Sequence, residues 1–174
     1  MIPTKNKSET IKNARFLFKN YNRIKLEISQ ITETAAYLSK TAEQSIDSDI
    51  YTASVSHGTS GIGSGTSADK VPRIAEKAEA VRMKYSEDIH ALQSKKAMLE
   101  RTAASIDIFA ESLDWTDKTI LFRRFLDRNT KDMEEISNEV HLTASAVKKR
   151  IAKLMLKYAQ SVNFDISYVA NVLK

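Results

Sequence analysis

Cysteine is absent from the 174 residues. That excludes a disulfide scaffold, a thiolate zinc finger, a Cys-ligated iron–sulfur cluster and a cysteine nucleophile. It also fits a reducing compartment. Two prolines and four glycines are too few punctuation residues for a turn-rich β architecture. No apolar run approaches the roughly 18 residues of a membrane-spanning helix. The first ten residues, Met1–Thr10, are polar and lack the apolar core of a secretion signal. With 42% hydrophobic and 28% charged residues the composition is that of a chain able to fold. The expectation is an all-α, non-membrane, cytoplasmic protein. Lys and Arg total 27 against 22 Asp and Glu, a net charge of +5. So small an excess points to a polyanion only where it is concentrated.

The glycines are concentrated too. Gly58, Gly61, Gly63 and Gly65 sit in the Ser-rich stretch Ser45–Lys70, whose apolar residues Ile46, Ile50, Val55 and Ile62 form no seam. This reads as a loop or linker. Before it, Leu17, Tyr21, Ile24, Ile28, Ile31, Ala35 and Leu38 follow steps of 4, 3, 4, 3, 4 and 3. That is a heptad seam on a helix over about Ser8–Thr41. Ile24, Ile28 and Ile31 are individually modest helix formers, so the seam must be packed to hold. After the stretch, Ser67 or Asp69 suits a cap and Pro72 a first helical turn. The seam resumes at Ile74, Ala78, Val81 and Tyr85. It continues through Ile89, Leu92, Lys96, Leu99, Ala103, Ile106, Ala110 and Leu113, with one register step near Tyr85 and one polar interruption at Lys96. Two such helices predict either an intramolecular antiparallel hairpin or an intermolecular coiled-coil arm.

From Asp114 the pattern shortens. Thr116 is a candidate cap for a helix carrying Ile120, Leu121, Phe125 and Leu126, and Asp127–Asp132 reads as a turn. Met133–Val140 is a short helix. His141, Leu142 and Thr143 form a tight connection, and Thr143 or Ser145 caps a further helix with Val147, Ile151, Leu154 and Tyr158 on one face. Phe164–Leu173 closes the chain with a small apolar set. Two short helices joined in this way predict a helix-turn-helix with Ile136, Val140, Leu142, Val147 and Ile151 between them. Thr143–Gln160 holds Lys148, Lys149, Arg150, Lys153 and Lys157 and no acid, so its local charge equals the +5 of the whole chain. Asp132, Glu134, Glu135 and Glu139 place the acids on or just before the preceding helix. A recognition helix facing phosphates, supported by a helix turned away, has this distribution. A basic helix is also compatible with a solvated face of an ordinary helical bundle.

The candidate DNA-binding residues are therefore Thr143, Ser145, Lys148, Lys149, Arg150, Lys153 and Lys157, with Arg123 and Arg124 before the turn. Ser145, Lys148 and Lys149 are placed to approach base edges, and Arg150, Lys153 and Lys157 are more peripheral. Other constellations carry no chemistry. The glycine cluster lacks the Gly-Lys-Ser/Thr of a phosphate loop. His57, His90 and His141 show no metal-ligand spacing, and the adjacent Glu134 and Glu135 diverge on a helix. Trp115 reads as a core or hinge anchor, the commoner use of the ring. No catalytic residue, cofactor or metal is expected.

The segments Leu121–Thr130 and Met133–Arg150 resemble region 4 of sigma factors. The whole layout resembles phage-encoded late transcriptional regulators of the ArpU/RinA type. Tyr51–Val55 with Gly58, Gly61 and Gly65 matches their linker in character. Leu121, Phe125 and Leu126 occupy the hydrophobic positions of the first module helix, Glu135 and Ile136 match the Glu-Ile that begins the helix-turn-helix, and Val147 matches its core Val. Thr143 stands where Ser is usual, Arg124 and Phe125 where Arg-Tyr is frequent, and His141 where Gly is usual. The resemblance implies an N-terminal amphipathic helix (1–44), a Ser/Gly-rich linker (45–70), a long coiled-coil-like helix (71–113) and a sigma-region-4-like DNA-binding domain (114–174). It implies a regulator of transcription, an activator of phage late genes in the cytoplasm of a bacterial host, in contact with host RNA polymerase. Two copies would bind two half-sites, so a homodimer or higher homo-oligomer is expected. The rival readings are a phage DNA-packaging or structural oligomer, and a coiled-coil interaction protein with an acidic partner.

Overall fold

The computed structural model describes the backbone of residues 4–55 and 70–173 and the side chains of residues 7–45 and 75–173. The protein is all-α, with no strand among the described residues. The helices are α1 (Thr4–Lys19), α2 (Tyr21–Val55), α3 (Lys70–Glu111), α4 (Trp115–Leu121), α5 (Met133–Glu139), α6 (Ala144–Ser161) and α7 (Ile166–Val172). A π-helical turn, Phe122–Leu126, extends α4, and its widened winding lets the Asp127 amide donate to the Phe122 carbonyl at 2.9 Å.

The first seam is carried by two helices rather than one. At Asn20 the backbone and side-chain amides both donate to the Phe16 carbonyl, at 3.1 and 2.8 Å, and the helix restarts at Tyr21. A side chain that competes for a helical carbonyl is a local reason for such a break. Beyond the seam, α2 continues through Ser45 to Val55, into the stretch expected as linker. The scattered apolar residues gave no periodic sign of this helix. The glycines and the Ser67, Asp69 cap candidates lie outside the described residues, as does the side chain of Ile74.

The chain divides into two compact units, residues 1–28 with 97–174 and residues 29–96, and the division falls within α2 and α3. The first has a well-filled core. In it α1 packs against α6, α7 and the π turn, and α6 also packs against α4 and α5. Phe18 of α1 sits at the centre, with its ring 4.8 Å from Tyr158, 6.1 Å from Phe125 and 6.3 Å from Phe109. Phe109 and Tyr158 complete the cluster at 5.4 Å in an edge-on arrangement, the favoured geometry for quadrupolar rings. The segment 114–174 shares this core with α1 and α3, whose Phe18 and Phe109 pack on Phe125 and Tyr158. Polar pins reinforce the packing. The Tyr21 hydroxyl donates to Asp107, Lys25 reaches the same carboxylate at 3.6 Å, and Asn13 donates to Ser167 at 3.0 Å.

The second unit, residues 29–96, contains the end of α2 and the beginning of α3. Ile31 is its one buried hydrophobic side chain among the described residues. Ala35 and Leu38 on α2, and Val81, Tyr85, Ile89 and Leu92 on α3, are half-buried.

Candidate nucleic-acid interface

The connection between α5 and α6 is built from the chain outward. Asp132 caps α5 by accepting from the Glu134 and Glu135 amides, both at 2.9 Å, while the Glu135 carboxylate accepts from the Asp132 amide at 3.0 Å. This reciprocal pair satisfies otherwise unpaired donors. At the other end the Leu142 amide donates to the Ser137 carbonyl at 3.0 Å and the His141 amide to the Asn138 carbonyl at 3.4 Å. These two bonds form a Schellman motif, which demands a left-handed residue at its first position past the cap. His141 takes it, with φ 53°. The residue that departs from the usual Gly has therefore adopted Gly's conformation at a steric cost. Thr143 then caps α6, its hydroxyl accepting from the Ala146 amide at 3.2 Å.

Helical periodicity divides α6 into two faces. Val147, Ile151, Leu154, Met155 and Tyr158 are buried. Ile136 and Val140 of the α5 side are buried with them, whereas Leu142, expected in the same core, is half-buried. Ser145, Lys148, Lys149, Lys153 and Lys157 are exposed, and the four lysines have no ion pair among the described residues. Their ammonium groups are available to a polyanion.

The three arginines are placed differently. Arg150 donates to Asp117 of α4 at 2.7 Å, and this carboxylate holds its pKa above the ordinary arginine value. Arg123 bonds Glu139 of α5 at 3.0 Å and Asp127 at 3.2 Å. Lys131 approaches the same Glu139 at 2.8 Å, and Lys131 and Arg123 together hold that carboxyl below its usual range. Arg124 donates to the Lys131 carbonyl at 2.8 Å. Planar guanidinium forks suit such fixed pairing better than ammonium groups do. The arginines thus brace α4, the π turn and α5, while the lysines line the open face. Sequence reasoning named neither Asp117 nor Glu139 as a partner. Asp117 lies 33 residues from Arg150, and no local spacing announces that pair.

Two local readings are corrected. Asp114, not Thr116, caps α4, accepting from the Asp117 amide at 2.9 Å. Trp115 is neither core nor buried anchor but 66% exposed. As the first residue of α4 it lies five and six positions before Ile120 and Leu121, which places it opposite the face they bury. On the inner side of α6, burial pushes the Tyr158 hydroxyl up to about 12, although its 2.7 Å hydrogen bond with Ser105 of α3 pulls the other way.

No helix among the described residues is long and apolar enough to cross a membrane. No group of His, Cys, Asp and Glu among the described residues could hold a metal ion. No family model, no curated protein and no solved structure matches the chain.

Proposed function

We propose that this protein is a sequence-specific double-stranded DNA-binding regulator of transcription, and that α5 and α6 form its helix-turn-helix. The observation that carries this reading is the exposed row Ser145, Lys148, Lys149, Lys153 and Lys157 on α6, which opens behind a braced connection with no competing carboxylate on its own helix. Small residues at Ala144, Ser145 and Ala146 leave the first turn slim enough to approach base edges in a major groove. Lys153 and Lys157, farther along, suit the phosphate backbone. Arg150, Arg123 and Arg124 act in this reading as positioning residues that fix the angle of α6. The resemblance to ArpU/RinA-type regulators supports activation of phage late genes, with host RNA polymerase as a further partner. In this reading the protein acts by binding, with no catalytic residue assigned.

The test is a fluorescence-anisotropy titration at several salt concentrations. It compares a duplex selected from a randomised pool with an unselected one. Lys149→Ala is expected to cost about 1–3 kcal/mol on the selected duplex and less on the other, as for a residue that reads a base. Lys157→Ala should weaken both alike and lower the salt slope by about one phosphate contact. If Lys149→Ala weakened both duplexes equally, its base-reading role would be wrong. If the protein bound no duplex at low salt, the interaction-protein reading would replace this one. Preference for packaging-site over promoter fragments would favour the DNA-packaging reading.

A further inference from the structure

From Lys12 to Arg23 the chain carries four cations, Lys12, Arg15, Lys19 and Arg23, and no acid. Their steps of 3, 4 and 4 set them on one face of α1 and the first turn of α2. The break at Asn20 does not rotate that face away, because the buried set Leu17, Tyr21 and Ile24 also runs through it in helical steps. All four basic side chains are exposed, and none has an ion pair among the described residues. Like charges three and four residues apart repel and destabilise a helix, whereas a solvated face that mixes the two signs gains from pairing them. This face forgoes that pairing over about 16 Å of length at 1.5 Å per residue.

The row is separate from that of α6. Within the unit that holds both helices, α1 packs on α6, and the Phe18 and Tyr158 rings meet between them. Lys12, Arg15 and Lys19 lie across α1 from the buried Ala14, Leu17 and Phe18, as the α6 lysines lie across their helix from Val147, Ile151 and Tyr158. The two basic rows therefore face away from each other across a shared core.

The surroundings of the row select the polyanion. A protein partner is held by apolar or aromatic anchors, and Lys is depleted from such interfaces. Here the exposed apolar Leu26 stands one turn beyond Arg23, at the very end of the row. A membrane surface takes up the apolar face of a helix, which in α1 is buried in the core. A single strand stacks its bases on aromatic rings, but Phe18 and Tyr21 are buried and Phe16 is half-buried. A duplex backbone asks only for cations at a regular spacing. We propose that Lys12, Arg15, Lys19 and Arg23 grip the phosphates of a second duplex segment without regard to its sequence, so that one chain holds two segments on opposite sides. DNA is stiff over about 150 base pairs, so the short stretch seated on α6 does not also bend round to α1.

The grip stands on this row alone, and the holding of two segments rests also on the DNA reading of α6. Two sets of substitutions in the full chain separate them. The α1 set is Lys12→Gln, Arg15→Gln, Lys19→Gln and Arg23→Gln together, and the α6 set is Lys148→Gln, Lys149→Gln, Lys153→Gln and Lys157→Gln together. All eight positions are exposed, so circular dichroism should show unchanged helicity. Anisotropy titration with the unselected duplex at several salt concentrations measures the grip. The chain carrying the α6 set should still bind. Adding the α1 set should then weaken binding at least about tenfold at low salt and lower the salt slope by about 3–4. Unchanged affinity on adding the α1 set overturns the proposal. The second segment is read separately. The unaltered chain on an immobilised duplex should retain a fluorescent duplex, and the α1 set should abolish that retention. Retention despite the α1 set would place the second duplex on another copy's α6 and overturn the proposal. If the α6 set changed nothing while the α1 set removed all duplex binding, the DNA reading of α6 would fall and the grip would stand. If the chain carrying the α6 set bound polyglutamate in preference to duplex, the row would belong to an acidic protein partner and the proposal would be wrong.

Discussion

The two units share a periodicity and differ in what covers it. Leu17 and Ile24 lie on the same heptad seam as Ala35 and Leu38, in the same run of three- and four-residue steps, yet the first pair is fully buried and the second is half-buried. The same holds along α3, where Leu99 and Ile106 are fully buried and Val81 and Ile89 are not. In the first unit α1, α6 and α7 supply additional layers around the seam. In the second the described residues belong to two helices, α2 and α3. A heptad pattern thus states which residues seek cover, not how much of it the chain provides.

The sharpest way to break this comparison is to remove one side of the filled core. A fragment of residues 114–174 loses Phe18, Ile106 and Phe109, and should show neither cooperative melting nor dispersed amide resonances. A stably folded fragment would show that the C-terminal segment is a self-sufficient domain. Within the intact chain, Phe18→Ala empties the centre of the aromatic cluster and should cost about 3–5 kcal/mol in urea denaturation. Leu38→Ala removes a half-covered side chain and should cost about 1 kcal/mol at concentrations where the chain is monomeric. Equal losses at the two positions would contradict the difference between the units.

A smaller effect tests the turn rather than the core. His141→Gly relieves the left-handed strain and should stabilise the protein by up to about 1 kcal/mol, because Gly occupies that region without steric cost. A loss of stability would mean that the imidazole makes a contact worth more than the strain.

The smallest effects are in pH. Tyr158 is held above its ordinary value of 10.0, at about 12, so its neutral form is favoured by folding. Its contribution is complete below pH 10 and is lost as pH rises toward 12. Tyrosinate absorbance should therefore show a late-ionising component at about 12 that is lost in Tyr158→Phe, while Tyr21, whose hydroxyl burial also raises, remains. Glu139 has the opposite sign. Its carboxyl is held below 4.5 by Lys131 and Arg123, so its contribution is present above that value and disappears as pH falls through the lower folded value. Acid titration followed by carboxyl resonances should show the Glu139 carboxyl protonating below the ordinary glutamate range, and less far below it in Lys131→Met.

Much of the first unit was legible because its signals are local. The turn at Asp127–Asp132, the α5 and α6 helices, the Thr143 cap and the inward set Val147, Ile151, Leu154 and Tyr158 all follow from spacing and capping chemistry within one or two turns. The break at Asn20 was hidden because the apolar steps run through it without interruption. The extension of α2 to Val55 was hidden for the opposite reason. Helical backbone persists there although the apolar periodicity that announces helices has stopped. Trp115 misled because a large ring usually marks a core, while its position at the start of α4 turns it outward.

The candidate interface divides in the same way. Sequence by itself determined that α6 is amphipathic and basic, since an 18-residue helix with lysines off its apolar face must present them to solvent. It also determined the all-α class, through few breakers and sustained 3–4 spacing. Only the tertiary structure decided that Arg150, Arg123 and Arg124 are tied to Asp117, Asp127, Glu139 and the Lys131 carbonyl, leaving the lysines as the available cations. It alone decided that α1 shares the core beneath α6, through Phe18 and Tyr158. The physical reason is range. Helix periodicity and caps are set by neighbours three or four residues away, whereas ion pairs and core contacts join side chains whose separation along the chain carries no information about their distance in space.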